Sequence, residues 1–523
     1  MINFEEKVYG ISNKIVYKQR ANTNNCSDVE YIVYINKQPY IIKGISSKIF
    51  LALISPNEYS IEDCMLHIEG FNNYNLDVVN KAISSLIKKE WAIPVDLEKQ
   101  EKISKFTSLV PLKVEDKYFL LNLAYRTIDE ISEKIYMCFK EDDYSSLNIK
   151  EIEYLLGRKY ISYDCNKEMK QLAINEDYIN IYVIFSYECN MRCVYCFEST
   201  ESRFYKETEL NIDKLLGIIE EIHSNKNTII TFYGGEPLLD SNKDKINEII
   251  NWGKERDNIF FRIITNGTNV KSFMKDFLSI KDKILEFIIT IDGPATIHNK
   301  RRFLANGQGS FDEIIQSVKL ISDNEIKVNI RVNLDKYNID YQYYFLKYLA
   351  NMNLNSNYIT VIYYRVENKD DLTFDILSYD KCLELYEKLS EIKGINIRFG
   401  DPVLSFAVDM ISNEDPYPYI KSHYCNIENT YVIDCDYNVY CCNESMGLSD
   451  FSRTPNISKT PDICSLREPC KKCNLYYVCY GGCYLKRYKY KEKCSKELCE
   501  KKEILNIIKK IYRLRKKILT QLM

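Results

Sequence analysis

The stretch SYECNMRCVYCFE sets Cys189, Cys193 and Cys196 on one short loop, in the spacing Cys-x3-Cys-x2-Cys. Three thiolates this close can each hold one iron of a [4Fe–4S] cube. The fourth iron then has no protein ligand and stays open to a small chelating molecule, so the cluster becomes a catalyst instead of an electron carrier. Zinc is the rival occupant. A structural zinc site usually needs four ligands, but no nearby His or Cys offers a fourth, and the spacing is unlike the paired Cys-x2-Cys of zinc ribbons. A second set reads Cys470-x2-Cys473-x5-Cys479-x3-Cys483, with Cys425, Cys435, Cys441, Cys442 and Cys464 before it and Cys494 and Cys499 after it.

The chain of 523 residues holds 19 cysteines against 4 histidines. Five cysteines stand alone: Cys26, Cys64, Cys138, Cys165 and Cys382. An isolated cysteine is usually a small buried hydrophobe, and these five are expected to be core. The start, MINFEEKVYG, has no basic region followed by an apolar one, so no secretory signal is expected. No run of about 18 apolar residues is present, so no membrane span is expected. The expected location is a reducing cytoplasm, where grouped thiols mean metal or catalysis more than disulfides. A net charge of −3 gives no basic field for nucleic acid. At 46% apolar and 28% charged residues, the chain is globular and not disordered.

The elements that must hold the first loop are legible as a change of pattern near residue 178. From there to about 400, apolar stretches alternate with amphipathic ones: INIYVIFS (179–186), IITFYGG (229–235), FFRIITNG (260–267), FIITIDG (287–293), KVNIRVNL (327–334) and YITVIYYRV (358–366). This predicts an α/β fold with a parallel sheet covered by helices. Functional groups are then expected at the carboxyl ends of the strands. Residues 29–43 predict a β-hairpin turning at Asn36–Lys37, followed by helices over 46–54, from Ser60 and over 77–89, and an extended piece at 91–95. Together these suggest a winged-helix-like module. Its third helix carries only Lys81, Lys88 and Lys89 and no arginine, which is thin for neutralising phosphates. Residues 105–170 predict a bridging α/β region, with a strand at 119–123 and helices over 128–139 and 148–157. A helix over 503–522 has an apolar stripe of Ile504, Ile507, Ile508, Ile511, Leu514 and Ile518 opposite a basic face, and is expected to pack back on the chain. The expected domains are 1–100, 101–175, 176–400, 401–500 and 501–523.

Residues 178–400 resemble the radical S-adenosylmethionine (SAM) superfamily. The match rests on the triad with the aromatic Tyr195, on Gly234-Gly235-Glu236-Pro237 after the second strand, on Thr265-Asn266-Gly267 and on Ile291-Asp292-Gly293-Pro294. It rests also on His298-Asn299-Lys300-Arg301-Arg302 leading into Gly307-Gln308-Gly309-Ser310-Phe311, where Asn299 stands at a position commonly Asp. The resemblance implies a partial (β/α)6 TIM-like barrel. It further implies a SAM-binding [4Fe–4S] cluster on Cys189, Cys193 and Cys196, which are the catalytic cysteines, and a SAM pocket bordered by Tyr195, Gly234, Gly235, Glu236, Pro237, Asn266, Asp292 and Arg331. Glu236 would accept from the SAM ammonium, Asn266 and Asp292 would bond ribose or carboxylate groups, and Arg331 would pair with the carboxylate. His298 is expected to be a structural hydrogen-bonding residue.

The second set resembles the SPASM extension of peptide-modifying radical SAM enzymes. By position, Cys470, Cys473, Cys479 and Cys499 would close one auxiliary [4Fe–4S] cluster, with Cys494 the other choice for the last ligand. Cys425, Cys442 and Cys483 would hold a second, which keeps an open iron or is completed by Cys435 or Cys441. Where the family has a glycine before Cys442, this chain has Tyr437, with Asp436 and Asn438 expected to keep the turn. The 29–95 region resembles PqqD-like leader-binding modules, which capture a peptide by strand addition. The resemblances together imply an oxidoreductase with SAM and three [4Fe–4S] clusters. It would cleave SAM to a 5′-deoxyadenosyl radical and form an intramolecular thioether in a ribosomally synthesised, cysteine-containing precursor peptide. A flavodoxin- or ferredoxin-type protein would supply the electron, and no nucleic acid is expected as a partner. The alternatives are a formylglycine-forming sulfatase maturase, a carbon–carbon crosslinking enzyme and, from another class, an iron–sulfur redox-sensing winged-helix regulator.

Overall fold

The computed structural model describes residues 8–11, 15–20, 30–35, 38–42, 92–95, 104–114, 116–162, 178–196, 210–352, 354–367, 376–412, 425, 427–454, 470, 473–490 and 499–522. The chain divides into two compact units: residues 1–120 with 129–168, and residues 121–128 with 169–523.

The second unit is built on one nine-stranded sheet. Its strands are β1 (Ile179–Ile184), β2 (Thr228–Tyr233), β3 (Ile259–Thr265), β4 (Ile284–Thr290), β5 (Val328–Leu334), β6 (Ile359–Arg365), β7 (Asn396–Phe399), β8 (Thr430–Ile433) and β9 (Val439–Tyr440). Strands β1 to β7 lie side by side in chain order and are parallel throughout. All six strands expected from the sequence are present. Beyond them, β8 pairs in parallel with the free side of β1, and β9 folds back antiparallel on β8. Helices alternate with the strands: α1 (Ile212–His223), α2 (Lys243–Lys254), α3 (Val270–Leu278), α4 (Ala295–Arg301), α5 (Phe311–Asp323), α6 (Gln342–Asn351), α7 (Tyr379–Leu389) and α8 (Pro402–Ser412).

The strands are less uniformly apolar than a sheet covered on both faces requires. Every second residue is fully buried: Ile181 and Val183, Ile230 and Phe232, Ile330 and Val332, Val361 and Tyr363. Outside β2, which is buried on both faces, the intervening positions are half-buried and largely polar: Tyr182, Arg262, Glu286, Asn329, Arg331 and Tyr364. One face therefore carries the apolar core. The other is a polar wall whose groups bond one another, as Arg262 Nε does to Glu286 Oε1 at 2.6 Å.

The last helix, α9 (Lys501–Leu522), buries Ile504, Ile507, Ile508 and Ile511, and it packs on α8 and α7. It packs back on the chain, as expected. Among the described residues no helix is long and apolar enough to cross a membrane.

In the first unit, strands Glu30–Ile35 and Gln38–Ile42 pair antiparallel, and Ile15–Arg20 adds a third strand; the turn expected at Asn36–Lys37 lies outside the described residues. Ala92–Val95 pairs with Val8–Ile11. The three helices expected between residues 46 and 89 lie outside the described residues. The helix expected from residue 128 begins later, at Glu133, because Thr127–Ile131 is a strand and Ser132 Oγ caps the helix by accepting from Ile135 N. The helix expected from 148 is Ile149–Gly157, started by an Asn148–Glu151 capping box.

Candidate active site

The cysteine loop leaves the carboxyl end of β1, and the turn after β2 closes against it. Gly235 N donates to Ser186 O at 3.2 Å and Glu236 N to Glu188 O at 2.7 Å. A Cβ on Gly235 would lie 2.1 Å from Glu188 O and 2.5 Å from Tyr187 O, and Gly234 has φ +119°. Glycine is required here for packing of the turn on the chain before Cys189, not only for access by a ligand.

Glu236 is buried and its carboxylate is engaged within the fold. Oε1 accepts from Thr265 Oγ1 at 2.6 Å and from Leu238 N at 2.9 Å, and Oε2 accepts from Asn266 N at 2.7 Å. The side chain thus ties the end of β2 to the end of β3, and burial raises its pKa.

Asp292 is also spent internally. Its Oδ2 pairs with Arg301 Nε at 3.0 Å and its Oδ1 accepts from Asn333 N at 3.1 Å. Its carbonyl accepts from Asn338 Nδ2 and Gln342 Nε2. Asp292 anchors the ends of β4 and β5.

His298 is structural, as expected. Its Nδ1 accepts from Asp292 N at 3.2 Å, which leaves Nε2–H to donate to Ser310 Oγ at 3.0 Å. Burial, with Arg302 and Arg301 nearby, pushes its pKa down to about 3, so the ring is neutral. Asn299 takes the place of the common Asp without loss: its Oδ1 accepts from Ser310 N and Phe311 N, both at 3.0 Å.

Tyr195 is braced from three sides. Arg302 Nη1 donates to its hydroxyl at 3.0 Å, Asn333 Nδ2 does so at 3.1 Å, and the Arg301 guanidinium lies 5.1 Å from its ring centre. Arg331 is held by Asn333 Oδ1 at 3.0 Å and stacks on Tyr364 at 4.4 Å. Arg302 ends the motif that begins at His298, whereas Asn333 carries no motif of its own, which is why the sequence did not single it out.

Whether these residues fit a cluster and SAM can be tested on the donors. Cys189, Cys193 and Cys196 form no disulfide and are half-buried. Burial, with Glu236 nearby, pushes the Cys189 thiol up to about 12, and burial also raises Cys193. Such thiols shed their protons to a metal, which deprotonates a coordinating thiol outright. Two buried polar atoms beside the loop, Ser186 Oγ and Arg302 Nε, have no partner among the described residues, so the site retains hydrogen-bonding capacity for a polar ligand. Among the described residues no three Cys, His, Asp or Glu side chains form a site for a single metal ion. A cube does not need one, since each cysteine holds a different iron.

The later cysteines that the structure describes lie as follows. Cys479 lies in electrostatic range of Cys473, Cys470 and Glu500, the neighbour of Cys499. Cys442 and Cys483 pack on the same apolar cluster of Ile427, Phe451, Tyr484 and Leu485. Tyr182, on the polar face of β1, lies in electrostatic range of Cys442 and Cys425. Cys435 and Cys441 are buried in apolar clusters, and so are Cys138 and Cys382. Cys26, Cys64, Cys165, Cys464 and Cys494 lie outside the described residues. The turn before Cys442 departs from expectation: Tyr437 itself takes the left-handed conformation, with φ 67°. Asp434 Oδ1 accepts from Asp436 N and Asn438 N, both at 2.9 Å, and Lys214 covers the Tyr437 ring at 3.8 Å.

Residues 183–371 match the family model of the radical SAM superfamily. A cysteine-type anaerobic sulfatase-maturating enzyme of Clostridium novyi is 26% identical over 332 residues, which are 57% of this chain and 85% of that protein. The solved structure of anSMEcpe with bound AdoMet is 19% identical and covers 65% of this chain and 95% of its own, with a TM-score of 0.48. That of Streptococcus suis SuiB bound to precursor peptide SuiA is 14% identical and covers 74% and 97%, with a TM-score of 0.43.

Proposed function

We infer that this chain, an enzyme whose residues 183–371 form a radical SAM domain, modifies a ribosomally made peptide by joining a cysteine sulfur to a carbon within it. One observation carries this reading: two thiol-rich segments converge on strand β1, the triad on the loop at its carboxyl end, and Cys425 and Cys442, on β8's side of the sheet, within electrostatic range of Tyr182 in its middle. In this reading Cys189, Cys193 and Cys196 hold the [4Fe–4S] cluster, and Gly234, Gly235, Pro237 and Arg331 border SAM. When bound, the cluster and SAM supply a 5′-deoxyadenosyl radical, which takes a hydrogen atom from the peptide. Tyr195, Glu236 and Asp292 hold the walls of the pocket through the bonds described above.

Cys470, Cys473, Cys479 and Cys499 would hold one auxiliary cluster, and Cys425, Cys442 and Cys483 the other. The product balances as follows. The peptide loses one C–H and one S–H hydrogen and gains a C–S bond; one hydrogen leaves as an atom, the other as a proton, and the remaining electron goes to an iron–sulfur acceptor. The strands Ile15–Arg20, Glu30–Ile35 and Gln38–Ile42 support a peptide partner, since a sheet edge can take up an extended segment. A flavodoxin- or ferredoxin-type donor would deliver the first electron.

The Clostridium novyi relative favours a second reading, oxidation of a protein cysteine to formylglycine. Mass spectrometry separates the two. The anaerobically reconstituted chain is given SAM, dithionite and a cysteine-containing peptide encoded beside it. Loss of two hydrogens with sulfur retained is the expected result. Loss of the sulfur would establish the second reading. Deoxyadenosine formed at an unchanged rate after Cys189, Cys193 and Cys196 are replaced by Ala would overturn both.

A further inference from the structure

Asn266, at the end of β3, belongs to a closed ring of side-chain hydrogen bonds. Asn266 Nδ2 donates to Asn190 Oδ1 at 2.7 Å, Asn190 Nδ2 donates to Thr268 Oγ1 at 2.9 Å, and Thr268 Oγ1 donates to Asn266 Oδ1 at 2.8 Å. Thr268 N donates to the same Oδ1 at 2.9 Å. The other hydrogen of Asn266 Nδ2 is directed at Cys189 Sγ, 3.9 Å away. A primary amide has two donor hydrogens and two acceptor lone pairs, and here all four are engaged. Asn266 is only 6% exposed and Thr268 only 8%.

We propose that Asn266 is a positioning residue that donates to the Cys189 sulfur and so tunes the cluster, and that it is not a contact to the ribose of SAM. The proposal rests on the triad being the cluster's ligands. Asn190 and Thr268 hold the amide in place. Each bond in such a ring polarises the next, and Asn190 directly follows Cys189, so the ring fixes the first cysteine against the end of β3. A second donor, Met191 N, reaches the same sulfur at 3.4 Å. Hydrogen bonds to cluster sulfurs are among the levers that set a cluster's potential. The reduced cluster carries one more negative charge, so removing a donor disfavours reduction.

The experiment is an anaerobic redox titration of the reconstituted full chain, followed by electron paramagnetic resonance, with SAM affinity measured by equilibrium dialysis on the same samples. Thr268→Val keeps the side-chain shape and breaks the ring. Thr268→Ser restores the hydroxyl. Asn266→Asp keeps the shape and removes the donor. At a fixed poise near the wild-type midpoint, Thr268→Val and Asn266→Asp are expected to lower the ratio of reduced to oxidised cluster by about threefold. Thr268→Ser is expected to match wild type, and SAM affinity to change less than about twofold in all three. An unchanged ratio in Thr268→Val and Asn266→Asp, with normal iron content, would overturn the proposal. A tenfold loss of SAM affinity in Asn266→Asp at an unchanged ratio would assign Asn266 to the ribose instead. If Thr268→Val fails to fold, Asn266→Leu decides, since it removes the donor without the negative charge of Asn266→Asp, and an unchanged ratio there would overturn the proposal. A wild-type chain that assembles no cluster on the triad would remove the functional reading and this inference together.

Discussion

Gly235 has no room for one more carbon. A methyl group there would meet two backbone carbonyls, Glu188 O at 2.1 Å and Tyr187 O at 2.5 Å, and backbone cannot swing aside as a side-chain tip does. Gly235→Ala is expected to destabilise the chain by about 1–3 kcal/mol, read as a lower urea midpoint, and to loosen the cysteine loop. No shift in the midpoint would mean that the turn is not packed on Glu188. His298 makes a pH-dependent prediction. The unfolded imidazole takes a proton near 6.5, whereas the buried one resists until about 3. The stability that comes from a neutral His298 is therefore complete above about 6.5 and is lost as pH falls toward 3. Urea unfolding between pH 7 and 5 should show a loss with a slope approaching about 1.4 kcal/mol per pH unit from this group. His298→Gln should lack that component, and equal slopes in the two chains would refute it. The sequence disclosed His298 as structural because it lay in a motif. It did not disclose Asn190, Thr268 or Asn333, since polar residues reveal their partners only when the fold brings them together.

Among the elements, α5 shows how a family position can change residue and keep its function. Asn299 Oδ1 takes the first free amides of that helix, at Ser310 and Phe311. Asn299→Ala should cost about 1 kcal/mol of stability by thermal or urea unfolding, while Asn299→Asp should cost little. A larger loss for Asp than for Ala would contradict this account. The six central strands were legible because each is an apolar run ended by glycine or a polar residue. β7 and β8 were not, since both are short and end in Phe399 and Ile433 without a repeat around them. The start of the helix at Glu133 was missed for another reason. Ile128 and Ile131 fit either a strand or a helical stripe, and pairing in the sheet decided for the strand. Tyr437 was misread because a tyrosine carries no sign that it will adopt φ 67°. The cost of that conformation, about 1–2 kcal/mol, is offset by contacts no local pattern could foretell: Asn211 N donates to its hydroxyl at 2.6 Å, and Lys214 lies over its ring.

At the scale of the molecule, the proposed function assigns the chain's chemistry to its cysteines. Three cubes would bring iron to about 12 per chain after anaerobic reconstitution, and Cys442→Ala should remove about four of these. A wild-type value near four would leave only the SAM-binding cluster. The sequence separated a barrel from a cysteine-rich extension near residue 400, yet the backbone does not separate them there. Strand β8 continues the hydrogen-bonded ladder of β1, from Asn180 with Thr430 to Val183 with Ile433. A chain shortened before residue 430 would lose more than its later thiols. It would leave β1, the strand that leads into the cysteine loop, with a row of bare amides and carbonyls along one edge, which is a template for sticking to other molecules. The extension thus protects the barrel from self-association, a duty it performs whether or not it carries iron.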